Sequence, residues 1–297
     1  MIIQPEFTNH CNFRCKFCPH SVYKKEGFYR EKGYMSDELF ELVLENINKY
    51  ASTCQIGFFG EMFLHPKFEE YIERVSSSRH YPLFLNTNWS LVTKKNMDVL
   101  KQVDCVILSM DASNSELYDK LCPGGPVLGL DGKPRHDRYD ALIEKLDYWL
   151  QLPDHVSTRI MYVVSSVNEY DRMVFVEKWQ SKLGLKDNIT TKTVVSYGGI
   201  MRDSYMSENS CNIAEMQNKF TVAWNGDCTP CNLDVDVALN VGNLLEMRDI
   251  RKIMESERWK QVISLMKQKK SICASCFDAN NRSKDNCYHS FRLNQPF

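Results

Sequence analysis

The sequence predicts an α/β fold, and three observations predict it. Apolar strand-like runs alternate with amphipathic helical stretches from residue 2 to about residue 197, giving six βα units. Polar residues suited to chemistry fall at the C-terminal ends of those predicted strands, the face where (β/α) barrels assemble their sites. Beyond residue 197 the rhythm stops, and the last hundred residues carry a hairpin signal and clustered cysteines.

The elements follow in order. Ile2–Phe7 reads as the first strand, directly before a cysteine-rich loop. Ser36 has the chemistry of an N-cap, and Leu39, Leu42, Leu44 and Ile47 recur at near-helical spacing through Tyr50. Gln55–Gly60 is the second strand, Pro66–Ser77 a helix with proline near its start, Leu83–Asn86 the third strand and Thr93–Gln102 a helix. Cys105–Ser109 is the fourth strand, and a Gly/Pro-rich stretch follows from Pro123 to Pro134. Tyr139–Leu150 returns to helical periodicity; Arg159–Val164 is the fifth strand, Glu169–Leu183 a helix and Thr190–Ser196 the sixth strand. In the last third, Lys219–Trp224 and Cys228–Asn232 flank Asn225-Gly226, the strongest short hairpin signal. Asp249–Glu255 and Arg258–Lys269 are amphipathic, and Ser271–Phe297 is too poor in apolar residues to fold without a staple.

Composition excludes several classes. The 297 residues are 43% hydrophobic and 25% charged, with 37 Lys+Arg against 38 Asp+Glu and a formal net charge of −1. No global field points to nucleic acid or an anionic membrane; the basic residues Lys267, Lys269 and Lys270 read as a solvated helix face. The longest apolar runs, such as Val103–Met110, fall short of the roughly 18 residues a membrane span needs. The N-terminus shows no secretory signal, so the expected location is cytoplasmic. Twelve cysteines in such a chain point to metal rather than disulfides. Nine fall into two groups, while Cys54, Cys105 and Cys122 stand alone, the first two beside strand-like runs where a buried thiol is expected.

Cys11, Cys15 and Cys18 have the spacing C-x3-C-x2-C, which lets three thiolates hold three irons of a cubane. Iron–sulfur clusters normally take four cysteines, so one iron is left open. The spacing alone also admits a zinc site completed by His10 or His20. With its surroundings, the loop resembles the radical S-adenosylmethionine (SAM) superfamily, whose defining motif is this loop after the first strand. Phe17 matches the aromatic residue that members place against the adenine. Gly60-Glu61 resembles the Gly-Gly-Glu segment that binds the SAM amino group, with Phe59 in place of the first glycine. Leu85-Asn-Thr-Asn88 resembles a third-strand motif, with Trp89 where glycine is usual, and Ser109 and Asp111 fit the ribose-binding positions. As turn formers or a helix cap, Asn86, Asn88 and Asp111 have ordinary structural readings too.

The resemblance covers about residues 2–197 and implies a partial (β/α)6 barrel. It implies that SAM chelates the open iron, that the reduced cluster cleaves SAM, and that a 5′-deoxyadenosyl radical removes a hydrogen atom from a substrate carbon. The cofactors carry that chemistry, and the protein orients them and excludes solvent.

The second group resembles the SPASM/twitch appendage of the same enzymes: Cys211, Gly226 and Cys231 in a C-x14-G-x4-C run, then Cys273-x2-Cys276. On that resemblance Cys211, Cys231, Cys273 and Cys276 ligate an auxiliary 4Fe–4S cluster. The expected division is residues 1–200 for the barrel and 201–297 for the β-hairpin/helix appendage. A zinc knuckle built from Cys228-x2-Cys231 and Cys273-x2-Cys276 is the rival reading. Cys228 and Cys287 are left over, as inert thiols, as hydrogen-atom donors of an epimerase, or as replacements in the ligand set. One auxiliary cluster on a compact core resembles the twitch-type dehydrogenases that oxidise an aminocyclitol alcohol. The expected substrate is therefore a small sugar- or cyclitol-like molecule, with a reductant such as flavodoxin or ferredoxin as partner. Modification of a peptide side chain, and an electron-transfer module without SAM chemistry, are the alternatives.

Overall fold

The computed structural model describes residues 1–23, 29–208, 211, 218–276 and 289–291. Six parallel strands form the centre: β1 (Ile2–Pro5), β2 (Thr53–Ile56), β3 (Leu83–Thr87), β4 (Cys105–Ser109), β7 (Ser157–Val164) and β8 (Asn188–Thr193), paired in that order. The intervening β5 (Val127–Leu128) and β6 (Pro134–Arg135) make a separate two-residue hairpin. Along each central strand alternate residues face the helices. Ile3, Cys54, Leu83, Leu85, Val106, Leu108 and Ile160 are buried on that face, each large aliphatic side chain contributing about 1.5–3 kcal/mol.

The helices lie where their apolar spacing demands. Helix α1 (Asp37–Tyr50) starts at Ser36, whose Oγ accepts from Leu39 N at 3.3 Å, and buries Leu39, Phe40, Leu42, Val43 and Ile47. Helix α2 (Phe68–Ser78) packs on it through Tyr71, stacked on Phe40 with ring centroids 3.7 Å apart. The short α3 (Met97–Leu100) and α4 (Ser115–Leu121) follow β3 and β4. Helix α5 (Arg138–Gln151) and α6 (Arg172–Gln180) complete the outer layer.

Several boundaries differ from the sequence reading. The second strand ends at Ile56 rather than Gly60, because Gly57 and Gly60 take φ of +106° and +149° and turn the chain out of the sheet. The sixth spans 188–193, and the last helix of the barrel begins with a 3-10 turn at Glu169–Asp171. The Gly/Pro-rich region holds the β5–β6 hairpin, and α4 precedes it, capped by Asn114. The C-terminal hairpin of β9 (Lys219–Val222) and β10 (Asp227–Thr229) is joined to the barrel sheet: β9 runs parallel to β1, in register from Ile2↔Lys219 to Pro5↔Val222. β11 (Gly242–Asn243) and β12 (His289–Phe291) close the two ends of this ten-stranded sheet.

The sheet curls. In a flat sheet the six strand spacings from β9 to β8 would put them about 29 Å apart. Yet the charges of Lys219 on β9 and Lys192 on β8 interact. The inner face is therefore a trough, open at the end where the parallel strands terminate.

Candidate active site

The cysteine loop leaves β1 at the open end and is gripped from two sides. On one, Gly60 packs against the backbone of Thr8–His10, and Glu61 N donates to His10 O at 2.8 Å. On the other, the segment after α4 runs beside it: Lys16 N donates to Leu121 O (2.8 Å), Arg14 N to Pro123 O (2.7 Å) and Gly125 N to Asn12 O (2.6 Å). Arg138 ties this segment to α5 by donating to Cys122 O at 2.7 Å.

The three thiols of this loop share one electrostatic environment. Burial, then the charges of Glu61 and Cys15, push the Cys11 thiol up to about 12. Cys18 is raised by burial and by Cys15 and Cys11. Cys15 is raised first by a hydrogen bond with the Cys122 thiol, then by burial. Buried neighbouring thiols that resist ionisation one by one are suited to a bound cationic centre, which ionises coordinating thiols outright. The donor set thus fits an iron–sulfur cluster.

Glu61 is fully enclosed, and its carboxylate is engaged within the protein. Oε1 accepts from Thr87 Oγ1 at 2.9 Å, and Oε2 from Asn88 N at 2.7 Å. Burial raises its pKa to about 7. Through these bonds the carboxylate fixes the turn that carries Asn88. Asn88 Nδ2 in turn donates to Asn12 Oδ1 at 3.0 Å and lies 3.9 Å from Cys11 Sγ. Trp89, in place of the usual glycine, takes φ +65°. Behind this turn sits a buried cation, Lys145, whose Nζ donates to Trp89 O (2.8 Å) and Ser90 O (3.0 Å).

Further round the mouth, Ser109 is exposed at the end of β4. Asp111 is buried, and its Oδ1 accepts from Val163 N at 2.6 Å; burial lifts its pKa to about 7 against the pull of Lys192. Phe17 lies with Val163, Val194, Met201 and Met206, and it borders a pocket of about 40 Å³ shared with Ser165 and Val167. Phe17, Asn88, Ser109 and Asp111 therefore all border the cysteine loop or the strand ends beside it.

The second cysteine group also gathers. Cys231 is raised by burial, by Asp234 and by the thiols of Cys211 and Cys276; Cys273 is raised to about 11 by burial, then by Cys276 and Cys211. Cys276 Sγ lies 3.3 Å from Ser196 Oγ, just past β8, so this group adjoins the open end of the trough. Cys228 stands apart. It is fully buried in the core, its thiol donates to Gly226 O at 3.3 Å, and no other cysteine among the described residues perturbs it. That position separates it from the other members of the zinc-knuckle set and offers no path to a substrate. Cys287 lies outside the described residues.

Two neighbours of the site escaped the sequence reading. Lys145 had a signal: it interrupts the buried face Leu142, Leu146 and Trp149 of α5, where a charge requires a partner. Cys122 had none, because its contact with Cys15 depends on the pairing of two segments about a hundred residues apart.

The family model of the radical SAM superfamily matches residues 6–169, and that of the SPASM iron–sulfur cluster-binding domain matches residues 211–277. The chain belongs to the radical SAM superfamily. With that membership come a 4Fe–4S cluster and SAM as cofactors, and with the C-terminal match comes auxiliary iron–sulfur binding.

Among particular proteins, the chain is similar to the S-adenosyl-L-methionine-dependent 2-deoxy-scyllo-inosamine dehydrogenase of Niallia circulans, at 26% identity over 106 residues. That match spans 34% of this chain and only 40% of the relative. In fold it is similar to BtrN in complex with AdoMet and 2-DOIA (TM-score 0.59, 15% identity, 96% of this chain and 95% of that one). It is also similar to anSMEcpe with bound AdoMet (0.66, 16%, 97% and 93%) and to Streptococcus suis SuiB bound to precursor peptide SuiA (0.63, 14%, 94% and 70%). Among the described residues no helix is long and apolar enough to cross a membrane.

Proposed function

We propose that this chain is an oxidoreductase that removes a hydrogen atom from an unactivated carbon of a small polar, sugar- or cyclitol-like substrate and carries it on to a two-electron oxidation. One observation carries this reading: the thiols of Cys211, Cys231, Cys273 and Cys276 gather beside the open end of the trough that also holds the Cys11–Cys18 loop. When bound, SAM and its cluster supply hydrogen-abstracting chemistry, and the auxiliary cluster supplies an acceptor for the electron left by substrate oxidation. An alcohol losing a hydrogen atom, an electron and a proton becomes a ketone, so the balance closes without an added oxidant at the carbon.

The chain's own residues position and enclose. Cys11, Cys15 and Cys18 hold the first cluster; Glu61 and Lys145 fix the Asn88 turn beside it; Phe17, Ser109 and Asp111 line the adenosyl side. Residues 1–200 form the catalytic unit and 201–297 the electron-accepting one. A reductant such as flavodoxin or ferredoxin delivers the initiating electron. The Cys228 thiol, sealed in the core and bonded to Gly226 O, is not placed to return a hydrogen atom to the substrate, and the likeness to the dehydrogenase supports oxidation over epimerisation. The likeness to the dehydrogenase favours a small molecule over a peptide.

The test is a deuterium-transfer assay with the reduced holoenzyme, SAM and a panel of carbon-deuterated inositols, aminocyclitols and sugars. The expected result is deuterium in 5′-deoxyadenosine, matched one-to-one by a carbonyl product. Solvent hydrogen returned to the substrate carbon without a carbonyl would mean epimerisation. Turnover with peptides alone would overturn the substrate class.

A further inference from the structure

Cys122 stands alone in the sequence, yet the fold sets it opposite one of the cysteines that hold the first cluster. The cysteine loop and the segment after α4 run antiparallel: Phe13 bridges Gly124, Arg14 N donates to Pro123 O at 2.7 Å, and Lys16 N donates to Leu121 O at 2.8 Å. The same register puts Cys15 face to face with Cys122, between those last two bonds. A pair in that position has no backbone bonds of its own; its Cα atoms stand about 4.5 Å apart and its side chains approach most closely. A hydrogen bond joins the two thiols, and it is the leading cause of the raised Cys15 pKa.

Cys122 is fixed in place by its neighbours. Its N–H closes the end of α4 on Tyr118 O at 2.8 Å, its carbonyl accepts from Arg138 at 2.7 Å, and its side chain is buried. The other two sulfurs of the loop are met by backbone donors, Cys11 Sγ by Phe13 N at 3.4 Å and Cys18 by His20 N. Cys15 is the one that a second side chain reaches.

The proton count decides which way this bond runs in the loaded protein. A thiol that coordinates metal is deprotonated outright, so Cys15 has no proton to give, and only the Cys122 S–H can donate. A donor to a ligand sulfur offsets the negative charge that a cluster gains on reduction, and so raises the reduction potential. An inert, space-filling thiol would have no such effect.

We propose that Cys122 is a positioning residue of the redox step: its thiol donates a hydrogen bond to the Cys15 sulfur and holds up the potential of the first cluster. This rests on the reading that Cys15 ligates that cluster. The bond eases delivery of the initiating electron, and no other residue of the loop segment opposite the cysteines offers a removable donor of this kind among the described residues.

The experiment is an anaerobic redox titration of the reconstituted holoenzyme, followed by electron paramagnetic resonance in the absence of substrate and SAM. The component whose signal shifts when SAM is then added is the first cluster, and the unresponsive component serves as an internal reference. Cys122→Ala should keep its iron and lower the potential of the SAM-responsive component. The one-electron equilibrium should move about three- to tenfold, tenfold being about 59 mV, with the reference unmoved. Cys122→Ser, which keeps a donor of similar size, should stay near the wild type. Should the alanine variant fold poorly, Cys122→Val and Cys122→Thr, equal in volume and differing in the donor, repeat the comparison. An unchanged potential without the donor would overturn the proposal, as would a serine variant as low as the alanine one. Loss of the SAM-responsive iron in Cys122→Ala would also overturn it, making Cys122 a ligand. Cys15→Ala checks the underlying reading separately: a SAM-responsive cluster retained there would remove Cys15 from the ligand set.

Discussion

Gly60→Ala should destabilise the protein by about 3–5 kcal/mol and strip the first cluster, the two contributions being backbone strain and overpacking. Gly60 has φ +149°, a conformation L-residues rarely adopt. A Cβ there would sit 2.4 Å from Thr8 O, 2.8 Å from His10 O and 2.9 Å from Asn9 Cα. All three are backbone atoms, so no side chain can swing aside. Relief requires moving the segment that leads into Cys11 or the one that leads into Glu61, which are bonded to each other through His10 O. Thermal denaturation should show a fall of roughly 10 °C, and iron analysis a loss of the cluster held by Cys11, Cys15 and Cys18. An alanine variant that kept both its midpoint and its iron would show that this close approach does not shape the site.

Lys145→Met should cost about 2–4 kcal/mol, because two buried carbonyls lose their donor while the desolvation cost of the cation is removed. Those carbonyls belong to Trp89 and Ser90, in the turn whose other side Glu61 holds at Asn88 N. With Trp89 already at φ +65°, the turn relaxes when the ammonium is gone. SAM affinity should fall about tenfold through misplacement of Asn88, since sites depend on their supporting contacts. Lys145→Arg, which keeps the charge, should recover part of it. A loss of stability with SAM affinity intact would make Lys145 a structural residue only.

The same residue fixes a pH dependence. Burial lowers the Lys145 pKa from 10.5 to about 7, with Glu61 pulling the other way. Between those values the unfolded chain holds a proton that the folded chain has released, so this group makes stability rise with pH across that window. Below pH 7 both states are protonated and its burial penalty stands in full. The methionine variant lacks this rise, so its deficit against the wild type should widen from pH 7 to pH 9 in denaturant titrations.

Much of the barrel was legible because each strand alternates or runs apolar between clear helix signals, as around Leu83–Thr87 and Cys105–Ser109. The cysteines were legible because their spacing is local. What escaped depended on contacts distant in sequence. The parallel pairing of Lys219–Val222 with Ile2–Pro5 joins segments more than two hundred residues apart, and nothing local in either run encodes it. The bonds of Glu61 to Thr87 and Asn88, which fix the turn beside the cysteine loop, join partners that only the folded turn brings together. Phe58 and Phe59 have strand-like side chains, yet β2 ends at Ile56 because the flanking Gly57 and Gly60 take positive φ.

Two separate iron–sulfur sites in one chain should show in the metal content of a single variant. Cys11→Ala/Cys15→Ala/Cys18→Ala, prepared and reconstituted anaerobically, should retain about four irons and matching sulfide per chain, the content of one cubane. Zinc in place of iron, or no metal, would contradict the second cluster and with it the proposed route for the substrate's electron.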